Sequence, residues 1–215
     1  MADRQQPFFN PYDAIEETTN RLPHWEQPGV PCFITFRLAD SLPESLLTQW
    51  DEARRNWLRT HPEPWDAATN LDYQKRFRLQ LEKWLDAGHG SCLLRDRSIA
   101  EIVQNSLQCF HENRYRQIAS VVMPNHVHLI AVFHANWPMK QVVQGWKSFS
   151  SREILKRLPS HPSRKIWQKD YYDRLIRNQE HFRRVVRYIR SNPVRAHLAT
   201  SDFLLWESDL AKQVD

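Results

Sequence analysis

Glycine is scarce in this sequence. Only 4 of the 215 residues are glycine, whereas 9 are tryptophan. A phosphate-binding loop or a dinucleotide-binding turn needs several glycines within a short stretch, and the sequence contains neither pattern. We therefore expect no nucleotide cofactor held in such a loop.

Cysteines, long apolar runs and a secretory signal are also missing or few. The three cysteines, Cys32, Cys92 and Cys109, are odd in number and widely separated, which excludes a disulfide framework or a thiolate metal cage. No stretch approaches 18 uninterrupted apolar residues, so we expect no membrane span. The first 20 residues lack a basic segment followed by an apolar one, so the sequence predicts a cytoplasmic protein without a membrane partner.

Positive charge is concentrated in one part of the chain. Residues 140–199 carry 15 basic and 4 acidic side chains, whereas residues 1–139 carry 14 and 17, and the whole chain has a net charge of +5. A cationic block attracts polyanions, and the 25 aromatic residues could stack on bases. The composition favours a nucleic-acid partner, with a basic globular protein built on a tryptophan-rich core as the alternative.

Hydrophobic periodicity predicts an α+β domain, in which helices pack on an antiparallel sheet. Two capping boxes, Ser41 with Glu44 and Ser98 with Glu101, predict the starts of two helices, and Asn192-Pro193 predicts the end of the last one. The predicted elements are a strand at 31–38, helices near 44–58, 73–85 and 99–110, strands at 117–123 and 127–133, a helix after Pro138, a strand at 167–176 and a helix at 178–192.

Two histidines form the first candidate site. His126 and His128 lie two residues apart on a predicted strand, so both side chains point to the same face. Two imidazoles make half of a metal site and need further ligands. A plain surface strand with two histidines is the alternative at this point.

The last predicted helix carries the second candidate. Its apolar face contains Phe182, Val185, Val186 and Ile189. Tyr188 lies on the other flank beside arginines, which favour a phenolate and could hold a phosphate next to it. The other flank comprises His181, Arg184, Tyr188 and Asn192, with Arg187 alongside, and Tyr171 and Tyr172 on the preceding strand are rival phenols.

These segments resemble a known family. VVMPNHVHLIAVF, at residues 121–133, is similar to the His-hydrophobic-His motif of the HUH single-strand endonucleases. WQKDYYDRLIRNQEHFRRVVRYIRSNPVRAHLA, at residues 167–199, resembles the C-terminal half of the REP-associated tyrosine transposases, and RLPHW with CFITFRLADSLP resembles their first strand. The resemblance implies an irregular lead-in at 1–20, one domain at 21–198 with a probable helical insertion at 59–97, and a tail at 199–215.

The resemblance implies a ferredoxin-like HUH endonuclease core that cleaves and rejoins single-stranded DNA at hairpin-forming repeats. By this resemblance, His126 and His128 bind a divalent metal, Asn192 completes its shell, and Tyr188 is the nucleophile that forms a 5′-phosphotyrosine. Magnesium prefers oxygen ligands, so manganese is the better chemical match for two imidazoles. The DNA contacts that we predict are Lys147, Arg177, Arg184, Arg187 and Arg195.

One departure from the family pattern and two alternative functions stay open. Relatives often have Asp-His where this chain has Asp173-Arg174, so any role of that histidine does not transfer. A non-catalytic nucleic-acid-binding protein would bind without metal and form no covalent adduct. A zinc hydrolase using His126 and His128 would be indifferent to Tyr188. Both a monomer and a homodimer are compatible with the sequence.

Overall fold

The computed structural model describes residues 8–19 and 23–215. Seven strands and seven α-helices are described, and a short π-helix at Gln74–Arg78 links the second and third α-helices. The elements are β1 (Glu16–Thr19), β2 (Pro23–Glu26), β3 (Pro31–Arg37), α1 (Glu44–Thr60), α2 (Ala67–Tyr73), α3 (Leu79–Asp86), α4 (Arg97–Gln108), β4 (Tyr115–Val122), β5 (His126–Phe133), α5 (Met139–Arg157), β6 (Tyr172–Leu175), α6 (Gln179–Arg195), β7 (Leu204–Glu207) and α7 (Asp209–Lys212).

The main sheet has five antiparallel strands in the order β6-β3-β5-β4-β7. Its first four strands, with α4 between β3 and β4 and with α5 between β5 and β6, form a βαββαβ unit of ferredoxin-like strand order. The predicted fold class, α+β with helices packed on an antiparallel sheet, is confirmed. β7 extends this unit by one strand at the β4 edge.

Each face of the sheet is covered by different helices. Alternate residues of a strand point to opposite faces, so β3 sends Ile34 and Phe36 to one side and Phe33 to the other. Ile34 and Phe36 pack with α4 and α5, whereas Phe33 packs with α6 and α7. The chain therefore buries two apolar layers, one on each side of the central strands.

The hairpin of β4 and β5 forms the centre of the sheet. Its strands lie close to the predicted ranges 117–123 and 127–133, and the amide of Met123 donates to the carbonyl of His126 at 2.8 Å across the turn. The runs of valine, isoleucine, leucine and alanine explain why both strands are buried on both faces.

Both predicted capping boxes are wrong in detail. Pro43 precedes α1 without a side-chain cap, because the Ser41 hydroxyl donates instead to the carbonyl of Leu38 at 2.8 Å. The N-cap of α4 is Asp96, whose carboxylate accepts from the amide of Ser98 at 2.8 Å. The Ser41 hydroxyl therefore bonds to a backbone carbonyl before α1, and Asp96 rather than Ser98 caps α4.

The predicted end of the last helix is also wrong. α6 starts as predicted, since Asn178 caps it by accepting from the amide of His181 at 2.8 Å, but the helix passes through Pro193 and ends at Arg195. Proline removes one backbone donor, yet the amide of Ala196 still donates to the carbonyl of Asn192 at 3.0 Å. The helix therefore keeps Asn192 in its last turns.

The remaining boundaries differ from expectation in three places. Of the strand predicted at 167–176, only β6 is regular, and Trp167 forms a single bridge with Leu38. β1 lies in the lead-in at 1–20 that was expected to be irregular and pairs with β2, whereas residues 1–7 and 20–22 lie outside the described part of the chain. The expected tail packs as β7 and α7, and Arg190 pairs with Glu207 at 2.9 Å. Among the described helices, none is long and apolar enough to cross a membrane.

Candidate active site

The two histidines of β5 come together beneath α6. His126 and His128 pair with Arg37 and Thr35 of β3, on the face of the sheet that α6 covers. Both imidazoles are buried, and their Nε2 atoms are 3.0 Å apart. The spacing of two residues on one strand thus produces the convergence that the sequence predicts.

Asn125 fixes the orientation of His126. The Asn125 amide nitrogen donates to the carbonyls of Leu85 and His89 at 3.1 and 3.2 Å, so its oxygen faces the imidazole. Nδ1 of His126 lies 2.7 Å from that oxygen and must carry the proton. The lone pair of His126 Nε2 therefore points into the site. Burial lowers the pKa of His126 to about 3, which keeps the ring neutral at physiological pH.

Thr35 holds the second imidazole. Its hydroxyl lies 2.7 Å from Nδ1 of His128 and can either donate or accept a proton. Without a bound ion, His128 can donate from Nε2 to His126, with the hydroxyl donating to Nδ1. The other tautomer, with Nδ1 donating to Thr35, frees both Nε2 lone pairs for a metal. In that tautomer, the hydrogen bond from His128 Nδ1 to Thr35 would orient the His128 ring as a metal ligand.

Tyr188 lies directly beside His128. Its hydroxyl is 3.3 Å from Nε2 of His128, and its ring packs edge-on against Phe33 at 5.8 Å between centroids. The Arg195 guanidinium lies 5.6 Å from the centre of the same ring. Tyr188 is half-buried and therefore lies between the buried histidines and the solvent-exposed surface of α6.

Asn192 follows Tyr188 by one helical turn and is buried. Neither its side-chain nitrogen nor its oxygen has a hydrogen-bond partner among the described residues. An unsatisfied buried amide costs about 1–3 kcal/mol, so an absent ligand would explain it. The prediction placed Asn192 and His181 on the open flank of the helix. The structure buries both, because the buried face of α6 is wider than its apolar residues alone indicate.

The histidine pair could supply two nitrogen ligands to a divalent cation. The described residues contain no group of three or more His, Cys, Asp and Glu side chains that could hold a metal. The two imidazoles supply two nitrogen donors, which is half of a tetrahedral site and leaves positions for further ligands.

A cleft of about 810 Å³ opens beside Tyr188, between α6 and the segment formed by α2 and the π-helix. We call it the basic cleft. Its walls carry five basic and three acidic side chains: Lys75, Arg174, Arg177, Arg184 and Arg195 against Asp66, Glu82 and Glu180. Three of the predicted DNA contacts, Arg177, Arg184 and Arg195, thus meet Tyr188 in one cleft. Arg184 also pairs with Glu180 at 2.7 Å.

The structure does not bring the other two predicted DNA contacts into the basic cleft. Lys147 lies on α5, across the sheet, and its ammonium donates to the carbonyl of Lys169 at 2.8 Å. Burial lowers the pKa of Lys147 to about 8. Arg187 is exposed on α6 and donates to the carbonyl of Arg183 at 3.4 Å.

The rival phenols sit apart from the histidines. Tyr171 is buried and stacks on His24 with ring centres 4.1 Å apart, and burial raises the pKa of its hydroxyl. Tyr172 is half-buried in β6 and packs against the α6 side of the core. The Tyr188 hydroxyl, in contrast, lies 3.3 Å from Nε2 of His128.

Sequence reasoning missed the buried histidine of β2, His24. His24 of β2 lies between two carboxylates: its Nε2 contacts Asp170 at 2.9 Å, and its Nδ1 contacts Asp173. Burial alone would lower the pKa of His24, but the two carboxylates outweigh it and raise that pKa to about 9. The charged imidazole therefore links the β1–β2 ribbon to the β6 edge.

One family model matches the part of the chain that contains the histidine pair and Tyr188. Residues 93–192, just under half of the chain, match the model of the family described as IS200-like transposases. The matched segment contains His126, His128, Tyr188 and Asn192, so the predicted resemblance to transposases is confirmed. No curated protein matches the chain.

Two solved structures are also similar. A REP-associated tyrosine transposase bound to a REP hairpin is 16% identical, with 89% of this chain and 93% of that chain covered and a TM-score of 0.42. A protein from Deinococcus radiodurans R1 that carries the description of a transposase is 12% identical, with 76% and 90% covered and a TM-score of 0.33.

Proposed function

We propose that the protein is a metal-dependent endonuclease and strand transferase that acts on single-stranded DNA at hairpin-forming repeats. The observation that carries this proposal is the contact of the Tyr188 hydroxyl with His128 Nε2 at 3.3 Å, beside His126 and at the wall of the basic cleft. The match to IS200-like transposases over the same residues supports it.

His126, His128 and Asn192 would hold the divalent ion, manganese or magnesium. The ion, when bound, polarises a phosphodiester and spreads the negative charge of the transition state. The orphaned amide of Asn192 and the two fixed imidazoles support this assignment.

Tyr188 is the nucleophile in this proposal. Its oxygen bonds to phosphorus as the bond from phosphorus to the 3′ oxygen breaks. The phenol loses its proton, and the leaving oxygen gains one to become a 3′-hydroxyl. The 5′-phosphotyrosine conserves the phosphodiester bond, so a 3′-hydroxyl can attack it and rejoin strands without a nucleotide cofactor. Arg177, Arg184 and Arg195 would hold the flanking phosphates in the basic cleft.

Incubation with labelled hairpin DNA and manganese tests the proposal. We expect a protein–DNA adduct that survives denaturant and disappears when the metal is chelated. Binding of the DNA without any adduct, and without dependence on metal, would identify a non-catalytic nucleic-acid-binding protein instead.

A further inference from the structure

A second cavity, of about 520 Å³, lies next to the basic cleft. We call it the aromatic cavity. It is enclosed by α1, by the helical segment at 67–86 and by β6, and its volume falls within the range of small-ligand pockets. Six aromatic side chains line it: Trp25, Trp50, Trp65, Tyr73, Phe77 and Tyr172.

Three of these rings, Trp50, Trp65 and Tyr73, have their polar atoms bound within the protein. Trp50 donates from its indole nitrogen to the carbonyl of Phe77 at 3.0 Å, and Trp65 donates to the carbonyl of His61 at 2.8 Å. Arg54 lies 5.8 Å from the ring centres of both Trp50 and Tyr73 and donates to the Tyr73 hydroxyl at 2.7 Å. The rings therefore offer apolar faces to the cavity, and a guanidinium lies beside them.

The charges of the aromatic cavity cancel, unlike those of the basic cleft. Three arginines and three carboxylates line it: Arg54, Arg174 and Arg177 against Glu63, Glu82 and Asp173. A phosphate would gain little in such surroundings and would meet carboxylates there. A neutral, flat, aromatic ligand fits the walls better.

The aromatic cavity and the basic cleft share walls. Five residues line both: Trp65, Gln74, Glu82, Arg174 and Arg177. A DNA strand whose phosphates lie along Arg174 and Arg177 would therefore pass the mouth of the aromatic cavity on its way to Tyr188.

We propose that the aromatic cavity holds an unpaired nucleobase of the strand that is engaged at Tyr188. This inference rests on the proposed function, since it assumes a single strand in the basic cleft. The helical segment at 67–86, which lies outside the matched transposase segment, would thus supply a base-binding site to this chain. Stacking on aromatic rings accepts any base, so the site would add affinity more than sequence preference.

Binding of two polymers with equal numbers of phosphates tests the inference. One is a thymidine homopolymer, and the other is an abasic backbone of the same length. Stacking of one base contributes roughly 5- to 150-fold in affinity. We expect Trp50→Leu, inside the cavity, and Trp25→Ala, at its half-exposed rim, to weaken homopolymer binding by up to this factor while abasic binding stays unchanged.

Phe149→Ala is the matched control, because Phe149 is an exposed aromatic residue on α5, across the sheet. It should change neither affinity. An equal preference for the homopolymer in the wild type and in both cavity variants would overturn the inference. If the wild type binds neither polymer, the proposed function fails as well.

Photocrosslinking keeps the test independent of variant folding. The wild-type protein is irradiated with a homopolymer of 5-iododeoxyuridine, and the crosslinked peptides are identified by mass spectrometry. We expect crosslinks at the rings of the aromatic cavity, Trp50 and Tyr73 among them. Crosslinks confined to other parts of the chain would contradict a base in this cavity.

Discussion

The two faces of β5 are equally buried but chemically different. Val127, Leu129 and Ala131 point to α4 and α5 and pack in the apolar cluster on that side of the sheet. His126 and His128 point to α6 and are held by polar partners. Burying polar groups costs free energy unless they are paired. Here Asn125 pairs with His126 and Thr35 pairs with His128. The strand therefore tolerates polar groups on one face, while the apolar side chains on its other face supply the packing.

Tyr188→Phe gives the largest expected effect on the chemistry of the α6 face. The substitution removes one oxygen and keeps the ring, so packing against Phe33 and His128 should persist. We expect complete loss of the covalent adduct on a denaturing gel, whereas metal binding and DNA binding survive. Traces of nicking by water would not contradict this.

Tyr171→Phe and Tyr172→Phe are the controls for that experiment. Each should keep at least partial adduct formation, because the hydroxyl that contacts His128 Nε2 at 3.3 Å belongs to Tyr188. An adduct that persists in Tyr188→Phe but disappears in one of the controls would transfer the nucleophile to the β6 region.

His126→Ala and His128→Ala should abolish cleavage while DNA affinity changes by only a few-fold. The basic cleft, not the buried imidazoles, supplies the phosphate contacts in our proposal. Manganese titration followed by electron paramagnetic resonance should show weaker metal binding in both variants. Loss of DNA binding together with cleavage would mean that the histidine pair is structural.

Leu129→Ala tests the apolar face of the same strand. Leu129 is fully buried, and truncation of a buried leucine costs about 2–5 kcal/mol. Urea unfolding should show this loss of stability, while adduct formation per folded molecule stays at the wild-type level. A folded Leu129→Ala protein without adduct formation would show that the two faces do not act independently.

Local signals explain which parts of the site could be predicted. The strand alternation around His126 and the N-cap at Asn178 depend on neighbouring residues, and both predictions agree with the structure. The amide orientation of Asn125 depends on carbonyls about 40 residues away in sequence, and the contact of His24 with Asp173 spans 149 residues. Such contacts require the three-dimensional fold and leave no periodic pattern in the sequence.

Two buried histidines, His126 and His24, differ in charge because their surroundings differ. Burial beside an amide lowers the pKa of His126 to about 3, whereas two carboxylates raise the pKa of His24 to about 9. A raised pKa stabilises the folded state fully below the unfolded value near 6.5, and this contribution disappears as the pH rises through 9. We expect the free energy of unfolding, measured in urea, to fall over that window. An equally steep fall in His24→Gln would assign it to other groups.

The smallest expected effect comes from comparing how much each side of the sheet contributes to DNA binding. Arg177 lines the basic cleft, whereas Lys147 lies on α5 across the sheet. Each phosphate neutralised on a single strand adds about 0.7 to the slope of log affinity against log salt concentration. Arg177→Gln should therefore lower the slope by about 0.7, and Lys147→Gln should leave it unchanged. Fluorescence anisotropy over a series of salt concentrations measures both slopes, and an equal change in the two variants would extend the DNA-binding surface to α5.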